Sequence, residues 1–300
     1  MNILITGGCG SIGSALVDSM VYGDEVRVFD NNEYALFKMK NENDDKYIKY
    51  LYGDVRDKER LVMAMHGVDV VYHAAAMKHV HLCEANPDEA FKTNVVGTMN
   101  VRDAAWKNDV KKVVNISTDK AVNPINVLGA TKLLAEKIIS SADSYKDTTL
   151  FANVRFGNVF GSNGSVIEMF EKDVIEVTDP EMTRFVMTID EAVGLVIKAS
   201  TEMTGGETFI LKMPAFQLGT FVDALKKDGQ TIKVVGKRPG ERDHEFLVSD
   251  AEIPYCKDNG YCYVVTKEET DECLHIEPSY GAERLTKEQI VEMSTLQVLQ

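Results

Sequence analysis

The stretch MNILITGGCGSIGSALVDSM, residues 1–20, decides the fold. Ile3, Leu4 and Ile5 form a short apolar run of strand type. The glycine turn TGGCGSIG follows, with Gly7, Gly10 and Gly13 in the spacing GxxGxxG. A helical pattern then places Ile12, Leu16 and Val17 on one face. Glycines permit a tight turn and let the backbone approach a pyrophosphate. The helix opening near Ser11 adds free N–H donors and the positive end of its dipole. Alone such a pattern is weak, but between a strand and a helix it is a strong dinucleotide signature.

Outward from this turn come further apolar runs: EVRVFD (25–30), YIKYLYGD (47–54), VDVVYHAAA (68–76), KKVVNIS (111–117) and TTLFANVRFGN (148–158). Helical patterns lie between them, near 57–66, 87–107 and 127–143. Strands alternating with helices give right-handed βαβ units and a parallel sheet covered on both faces. The expected fold class is therefore α/β, a Rossmann-type doubly wound sheet. After residue 157 the segments shorten, with a helix over DEAVGLVIKAS (190–200). The expected division is a dinucleotide-binding domain over 1–157, to which 184–211 returns, and a smaller lobe from 158–183 and 212–300. LTKEQIVEM (285–293) reads as a last helix, with Thr286 as N-cap and Gln289 completing a capping box. A crevice between two lobes is the default ligand site.

A net charge of −14 argues against nucleic-acid and anionic-membrane partners, because phosphates are repelled. An anionic small substrate then needs a local cationic pocket. The five cysteines, Cys9, Cys83, Cys256, Cys262 and Cys273, form no CxxC pair and read as free thiols in a reducing compartment. Cys256, Cys262, Cys273 and His275 match no zinc spacing, so no metal is expected. No apolar stretch approaches the roughly 20 residues needed to span a bilayer, and no leader is read at the start. The expected location is the cytoplasm.

Asp30 ends the second strand, where a carboxylate accepts from both adenosine ribose hydroxyls and repels a 2′-phosphate. NAD is thus favoured, with NADP as the alternative. Asp54 and Val55 could border the adenine, although Asp54 reads equally well as a helix cap. Ala74, Ala75 and Ala76 are small enough to let backbone approach a cofactor.

TGGCGSIG, GDVRD (53–57), HAAAMKHV (73–80), NPDEAFKTNVVGTMNV (86–101), STDKAVNPINVLGATK (117–132), VRFGNVFGSNGSV (154–166), MTRFVMTIDEA (182–192) and KRPGERDHE (237–245) run in order along the chain. Together they resemble the extended short-chain dehydrogenase/reductase family, and within it the UDP-N-acetylglucosamine 4,6-dehydratases. The resemblance implies a bound nicotinamide cofactor regenerated in each cycle. Hydride leaves sugar C4, a proton leaves C5, water leaves C6, and the hydride returns to C6. Some members invert C5.

The resemblance makes Asp119 the acid for the C6 hydroxyl and Lys120 the base for C5, with Thr118 beside them. A basic Lys120 needs its pKa lowered, by burial or a nearby cation. Lys132 is the lysine that binds the nicotinamide ribose, and Asn94 is counted among the cofactor contacts. Four residues before Lys132, however, the family's usual tyrosine is replaced by Leu128. Leucine has no proton to exchange. Either catalysis is lost and the chain senses nucleotides, or the C4-hydroxyl proton has moved to Thr118, Asp119 or a water. The second is favoured, because everything else the chemistry needs is present.

On the substrate side, Asn158 and Ser165, with Val166 beside it, could contact the diphosphate or uridine. Arg184 and Arg238 offer guanidinium forks to the diphosphate. Glu241 could accept from the uridine ribose, and Lys78 could reach the substrate. His79, His81, Cys9 and Cys83 read as structural. Val95, Met99, Leu133 and Ile138 mark helices that pair between subunits in the family, so a homodimer or higher oligomer is expected. The rival readings are a UDP-sugar 4-epimerase and a silent NAD- and UDP-sugar-binding regulator.

Overall fold

The computed structural model describes residues 1–20, 23–43, 45–142, 148–162 and 170–298. The first half alternates as the apolar runs require. Strands β1 (Asn2–Thr6), β2 (Glu25–Asp30) and β3 (Ile48–Tyr52) enclose helices α1 (Ser11–Met20) and α2 (Glu33–Glu42). Helix α3 (Lys58–Ala64) leads to β4 (Val70–His73), followed by α4 (Val80–Ala85), α5 (Pro87–Phe91) and α6 (Gly97–Lys107). Then come β5 (Lys112–Ile116), a 3-10 turn at Asp119–Ala121, α7 (Val127–Ser140) and β6 (Leu150–Arg155). The remainder holds β7 (Asn158–Val159), β8 (Val174–Val177), β9 (Thr183–Met187), α8 (Ile189–Glu202), β10 (Thr208–Leu211), β11 (Ala215–Gln217), α9 (Leu218–Leu225), β12 (Thr231–Val234), β13 (Cys256–Asp258), β14 (Cys262–Val265) and α10 (Lys287–Val298).

Nine strands form the main sheet, in the order β13-β14-β10-β6-β5-β4-β1-β2-β3. From β10 to β3 all neighbours run parallel. Their residues are apolar on both faces because helices cover both. Leu16, Val17, Leu36, Leu195 and Val196 pack on one side, and Leu61, Val101, Ala104 and Ile139 on the other. The strand order reverses between β2-β1 and β4-β5, so the carboxyl ends of β1 and β4 open a crevice there. A second apolar cluster, built on Phe160, Phe170, Ile175, Phe216, Phe221 and Ile290, holds the small sheets β11-β9-β7 and β12-β8 with α9 and α10. No described helix is long and apolar enough to cross a membrane.

Four sequence readings shift. Residues 184–187 do not return to the first domain, since β9 pairs with β7 and β11 in the small sheet and the chain comes back to the main sheet only with α8 and β10. Residues 256–265 do not join the second lobe, since β13 and β14 make a hairpin that extends the main sheet antiparallel to β10. Their membership depends on pairing with a distant strand, which short runs such as CYVV do not announce. The expected helix over 87–107 is interrupted by a π-helical turn at Lys92–Val96. The pattern read to 143 ends as a helix at Ser140. Thr286 and Gln289 do exchange capping bonds, Thr286 N to Gln289 Oε1 at 2.8 Å and Gln289 N to Thr286 Oγ1 at 3.3 Å.

Candidate active site

A cleft of about 1480 Å³ runs along the carboxyl ends of the parallel strands and under the second lobe. Its walls include Gly7, Gly10, Ser11, Ile12, Gly13, Asp30, Asp54, Val55, Ala74, Ala75 and Ala76 at one end. At the other lie Lys78, Thr118, Lys120, Leu128, Lys132, Asn158, Arg184, Arg238 and Glu241. Residues far apart in sequence therefore share one space. Ser165 and Val166 lie outside the described residues.

The glycine turn is as tight as its sequence requires. A Cβ on Gly13 would lie 2.2 Å from the Gly7 carbonyl oxygen, so α1 starts directly against the turn. Its first N–H groups are left facing the cleft. Gly13→Ala is expected to push α1 off β1, losing nucleotide binding and lowering the unfolding midpoint, which calorimetry with and without NAD would register. Asp30 caps the neighbouring strand. Its carboxylate accepts from Cys9 N at 3.0 Å and Asn32 N at 2.9 Å, so the backbone orients it at the cleft wall. Asp54 is no helix cap; Asp57 caps α3. The Arg56 guanidinium on Asp54, aided by Asn31, holds its carboxyl down at about 2 despite partial burial.

Asn94 is a correction. It is 1% exposed, does not line the cleft, and instead clamps the loop after β4. Its side chain accepts from Met77 N at 2.9 Å and donates to Met77 O at 3.1 Å. The π-helical turn is what carries this amide to that loop. Beneath it His73, unmarked by the sequence reading, bridges Thr6 Oγ1 (2.7 Å) and Thr98 Oγ1 (3.0 Å). Burial pushes its imidazole down to about 3, so it stays neutral and joins β1, β4 and α6 under the cleft.

The chain leaves β5 through Ser117 and Thr118 into the 3-10 turn. Asp119 is fully buried. Its Oδ1 accepts from Thr118 Oγ1 at 2.9 Å and from Lys120 Nζ at 2.9 Å, while Oδ2 has no hydrogen-bond partner among the described residues. A buried carboxylate oxygen left unpaired is costly and marks a site arranged for something other than stability. Lys120 does not have the low proton affinity expected of it. Burial pulls its ammonium down, but Asp119 and Glu245 outweigh burial and hold it above the usual lysine range. In this state it is charged.

Asn126 caps α7 through Gly129 N at 2.7 Å and donates from Nδ2 to Gly240 O at 2.8 Å. Lys132, one turn in, is buried and donates to Ile116 O at 2.7 Å. Burial lowers it to about 8. Leu128 faces the cleft but packs with Cys83 and Ala90, against Met77, Val80 and Val127. The position is built as an apolar wall, into which a phenol would have to intrude.

From the second lobe, Arg184 on β9 donates to Thr183 O at 2.8 Å and Asp243 O at 3.1 Å. Glu241 Oε2 accepts from the backbone N–H of Arg238 at 3.1 Å, which closes the RPGE turn. Arg242 reaches across to the carbonyls of Val122 and Asn123, so this segment straps the lobe to the 3-10 turn. The residue the sequence reading passed over is Glu245, the last letter of KRPGERDHE. It is 4% exposed, with Oε1 3.9 Å from Lys120 Nζ and 3.8 Å from Arg184 Nε. Its signal was a lone acid inside a motif whose other acids seemed sufficient.

The family described as polysaccharide biosynthesis protein matches residues 3–267. An uncharacterized membrane protein of Methanocaldococcus jannaschii is 47% identical over 270 residues, 84% of this chain and 81% of its own length. A UDP-N-acetylglucosamine 4,6-dehydratase (inverting) of Campylobacter jejuni is 40% identical over 273 residues, 87% of this chain and 81% of its own. A UDP-glucose 4-epimerase of Rickettsia canadensis is 38% identical over 285 residues, 90% and 84% respectively. The X-ray structure of Pen from Bacillus thuringiensis aligns with a TM-score of 0.95 at 39% identity, covering 99% of this chain and 98% of that one. A match across nearly the whole Rossmann-type sheet, with relatives this similar over most of the chain, means that the protein belongs to the polysaccharide biosynthesis protein family, within the extended short-chain dehydrogenases/reductases.

Proposed function

We propose that the protein is a UDP-N-acetylglucosamine 4,6-dehydratase that uses NAD. The observation that carries this reading is the buried Asp119–Lys120 pair at 2.9 Å, with Thr118 bonded to the same carboxylate, on the wall of a cleft large enough for both a dinucleotide and a nucleotide sugar. The residues fit the cofactor. The close Gly7–Gly13 turn, the first N–H groups of α1, the Asp30 carboxylate and the buried Lys132 are the groups that would hold it. NAD, when bound there, would supply the reversible hydride acceptor that oxidation at C4 and reduction at C6 need.

The chain's own task is to move protons. Thr118 Oγ1 accepts the C4-hydroxyl proton and passes its own to Asp119. Asp119 then gives that proton to the C6 hydroxyl, which leaves as water. Lys120, once its own proton has gone to the cleft solvent, takes the C5 proton as the C6–O bond breaks, and a proton returns to C5 when hydride enters C6. The C4 proton thus departs in the water, so no separate phenol is needed at Leu128. Protonation of Asp119 also removes one of the two carboxylate charges that hold Lys120 in its ammonium form, so the acid and the base become ready together. Arg184 and Arg238 would take the diphosphate, Glu241 the uridine ribose, and Lys78 and Asn158 further polar groups of the substrate. Half-exposed apolar residues on α6 and α7, Met99 and Leu134, with the part-buried Leu133 and Ile138, support self-association as a homo-oligomer; Val95 is buried within the subunit.

The second reading is a UDP-sugar 4-epimerase, favoured by relatives of that name. An epimerase has no water to expel and no use for a paired acid and base at C5 and C6. Mass spectrometry after incubation with UDP-N-acetylglucosamine separates the two. Loss of one water is expected; an unchanged mass with a new C4 epimer would favour the rival, and no conversion of any UDP-sugar would favour a silent binder.

A further inference from the structure

Glu245 is buried beside the acid–base pair, although the elimination asks for no third carboxylate at the sugar. The charged groups that face it come from every element around it. Asp119 and Lys120 approach from the 3-10 turn, Arg184 from β9, and Arg242 from its own segment. Ser279 Oγ, which is neutral, accepts the Glu245 N–H at 2.8 Å. His244 is turned away, onto Thr183 Oγ1 at 2.9 Å and the Tyr280 ring. Burial and then Asp119 push the Glu245 carboxyl above its usual range, against Lys120, Arg184 and Arg242.

We propose that Glu245 is a positioning residue whose carboxylate is the counter-charge to Arg184, keeping the buried set neutral while a proton moves between Asp119 and Lys120. The inference rests on the dehydratase reading. Before elimination Asp119 is a neutral acid and Lys120 a neutral amine, with Glu245 negative and Arg184 positive; these four sum to zero, and Arg242, held by the Val122 and Asn123 carbonyls, adds the same charge before and after. With Asp119 protonated and Lys120 neutral, one push and one pull on Glu245 are gone together, and Arg184 and Arg242 remain as the cations facing its carboxylate. Afterwards Asp119 is negative and Lys120 positive, and the sum is again zero. A low-dielectric site then penalises neither state. Without Glu245 both states carry an uncompensated positive charge, and protons leave Lys120 and Asp119 more readily.

The test is the pH dependence of kcat/KM for UDP-N-acetylglucosamine. Lys120 must start deprotonated, and Asp119 must start ionised to receive the C4-hydroxyl proton, so the proton affinity of Lys120 sets the rising limb. Glu245→Gln is expected to move that limb to lower pH by about 1–2 units. Arg184→Gln is expected to move it up, and the double variant to return it toward the wild-type position. A merely structural Glu245 would lower the profile without moving it, and an unmoved limb overturns the proposal. A reading separate from turnover comes from reductive methylation with isotope-labelled formaldehyde. The NMR signal missing in Lys120→Arg then reports the titration of Lys120 in the free protein. It should move down in Glu245→Gln and up in Arg184→Gln; a stationary signal overturns the counter-charge even if the wild type converts no sugar, which by itself would sink only the dehydratase reading. Should Glu245→Gln fail to fold, Arg184→Gln, whose side chain is partly exposed, carries the same test in the opposite direction.

Discussion

Asp119→Asn is expected to cut turnover of UDP-N-acetylglucosamine by about a thousandfold, while changing stability little, because the poorly satisfied Oδ2 charge and the ion pair with Lys120 are lost together. The two halves come from one geometry. Asp119 is fully buried and its Oδ2 finds no hydrogen-bond partner among the described residues, so the folded state already bears a poorly satisfied carboxylate. An amide of the same shape removes the buried charge and can still accept from Thr118 through its carbonyl oxygen. What it cannot do is take a proton from Thr118 and hand it to the C6 hydroxyl. Steady-state kinetics beside thermal unfolding would check both halves. A stable variant with near-normal kcat would mean that the proton path does not run through this carboxylate. Lys120→Met should behave differently, stopping proton exchange at C5 while nucleotide binding persists.

Arg155→Met is expected to cost about 3–5 kcal/mol of unfolding free energy, the usual penalty for breaking a buried ion pair from one side. Arg155 is 1% exposed and uses its whole guanidinium. It donates to Glu136 at 3.1 and 2.6 Å, to Glu252 at 3.1 and 2.8 Å, and to Leu247 O at 2.8 Å. One side chain thus ties β6 to α7 and to the segment after Glu245. Methionine fills similar volume but leaves the Glu136 carboxylate buried without a cation. Denaturant titration would read the loss, and adding Glu136→Met should recover much of it. The effect carries a pH signature. Burial opposes ionisation of Glu252, but the Arg155 bonds prevail and bring it from the ordinary 4.5 to about 2. A depressed carboxyl contributes stability that is full above its unfolded value and is lost as pH falls through the folded one. The wild type should therefore lose stability between about pH 4.5 and pH 2 more steeply than the variant.

The parts of the molecule that the sequence announces are those whose physics is local. The glycine turn, the acid ending β2 and the apolar strand runs each follow from short-range rules of turn, dipole and period. They put Gly7, Gly13, Asp30 and Ala74 on one wall of the cleft before any long-range contact is known. The misread parts depend on contacts made across the chain. Asn94 looks like a cofactor contact in sequence, yet the π-helical turn swings it behind the loop after β4. The hairpin at 256–265 joins the main sheet only because β10 offers it an edge. Lys120 sits as an ammonium because Asp119 beside it is joined by Glu245, which arrives from 125 positions away in the numbering on a segment strapped down by Arg242 and Asn126. The missing tyrosine shows the same limit. The sequence poses the problem at Leu128, but it takes the apolar wall around that residue and the Thr118–Asp119 hydrogen bond to suggest where the proton goes instead.

The central claim is that elimination runs on Asp119 and Lys120 without a tyrosine. The purified protein, incubated with UDP-N-acetylglucosamine in heavy water and followed by proton NMR and mass spectrometry, tests it most directly. The expected product is one water lighter, with deuterium at C5 and the C4 hydrogen recovered at C6, and its ring couplings report whether C5 is inverted. Substrate that binds but returns unchanged, or a C4 epimer with no deuterium at C5, would contradict it.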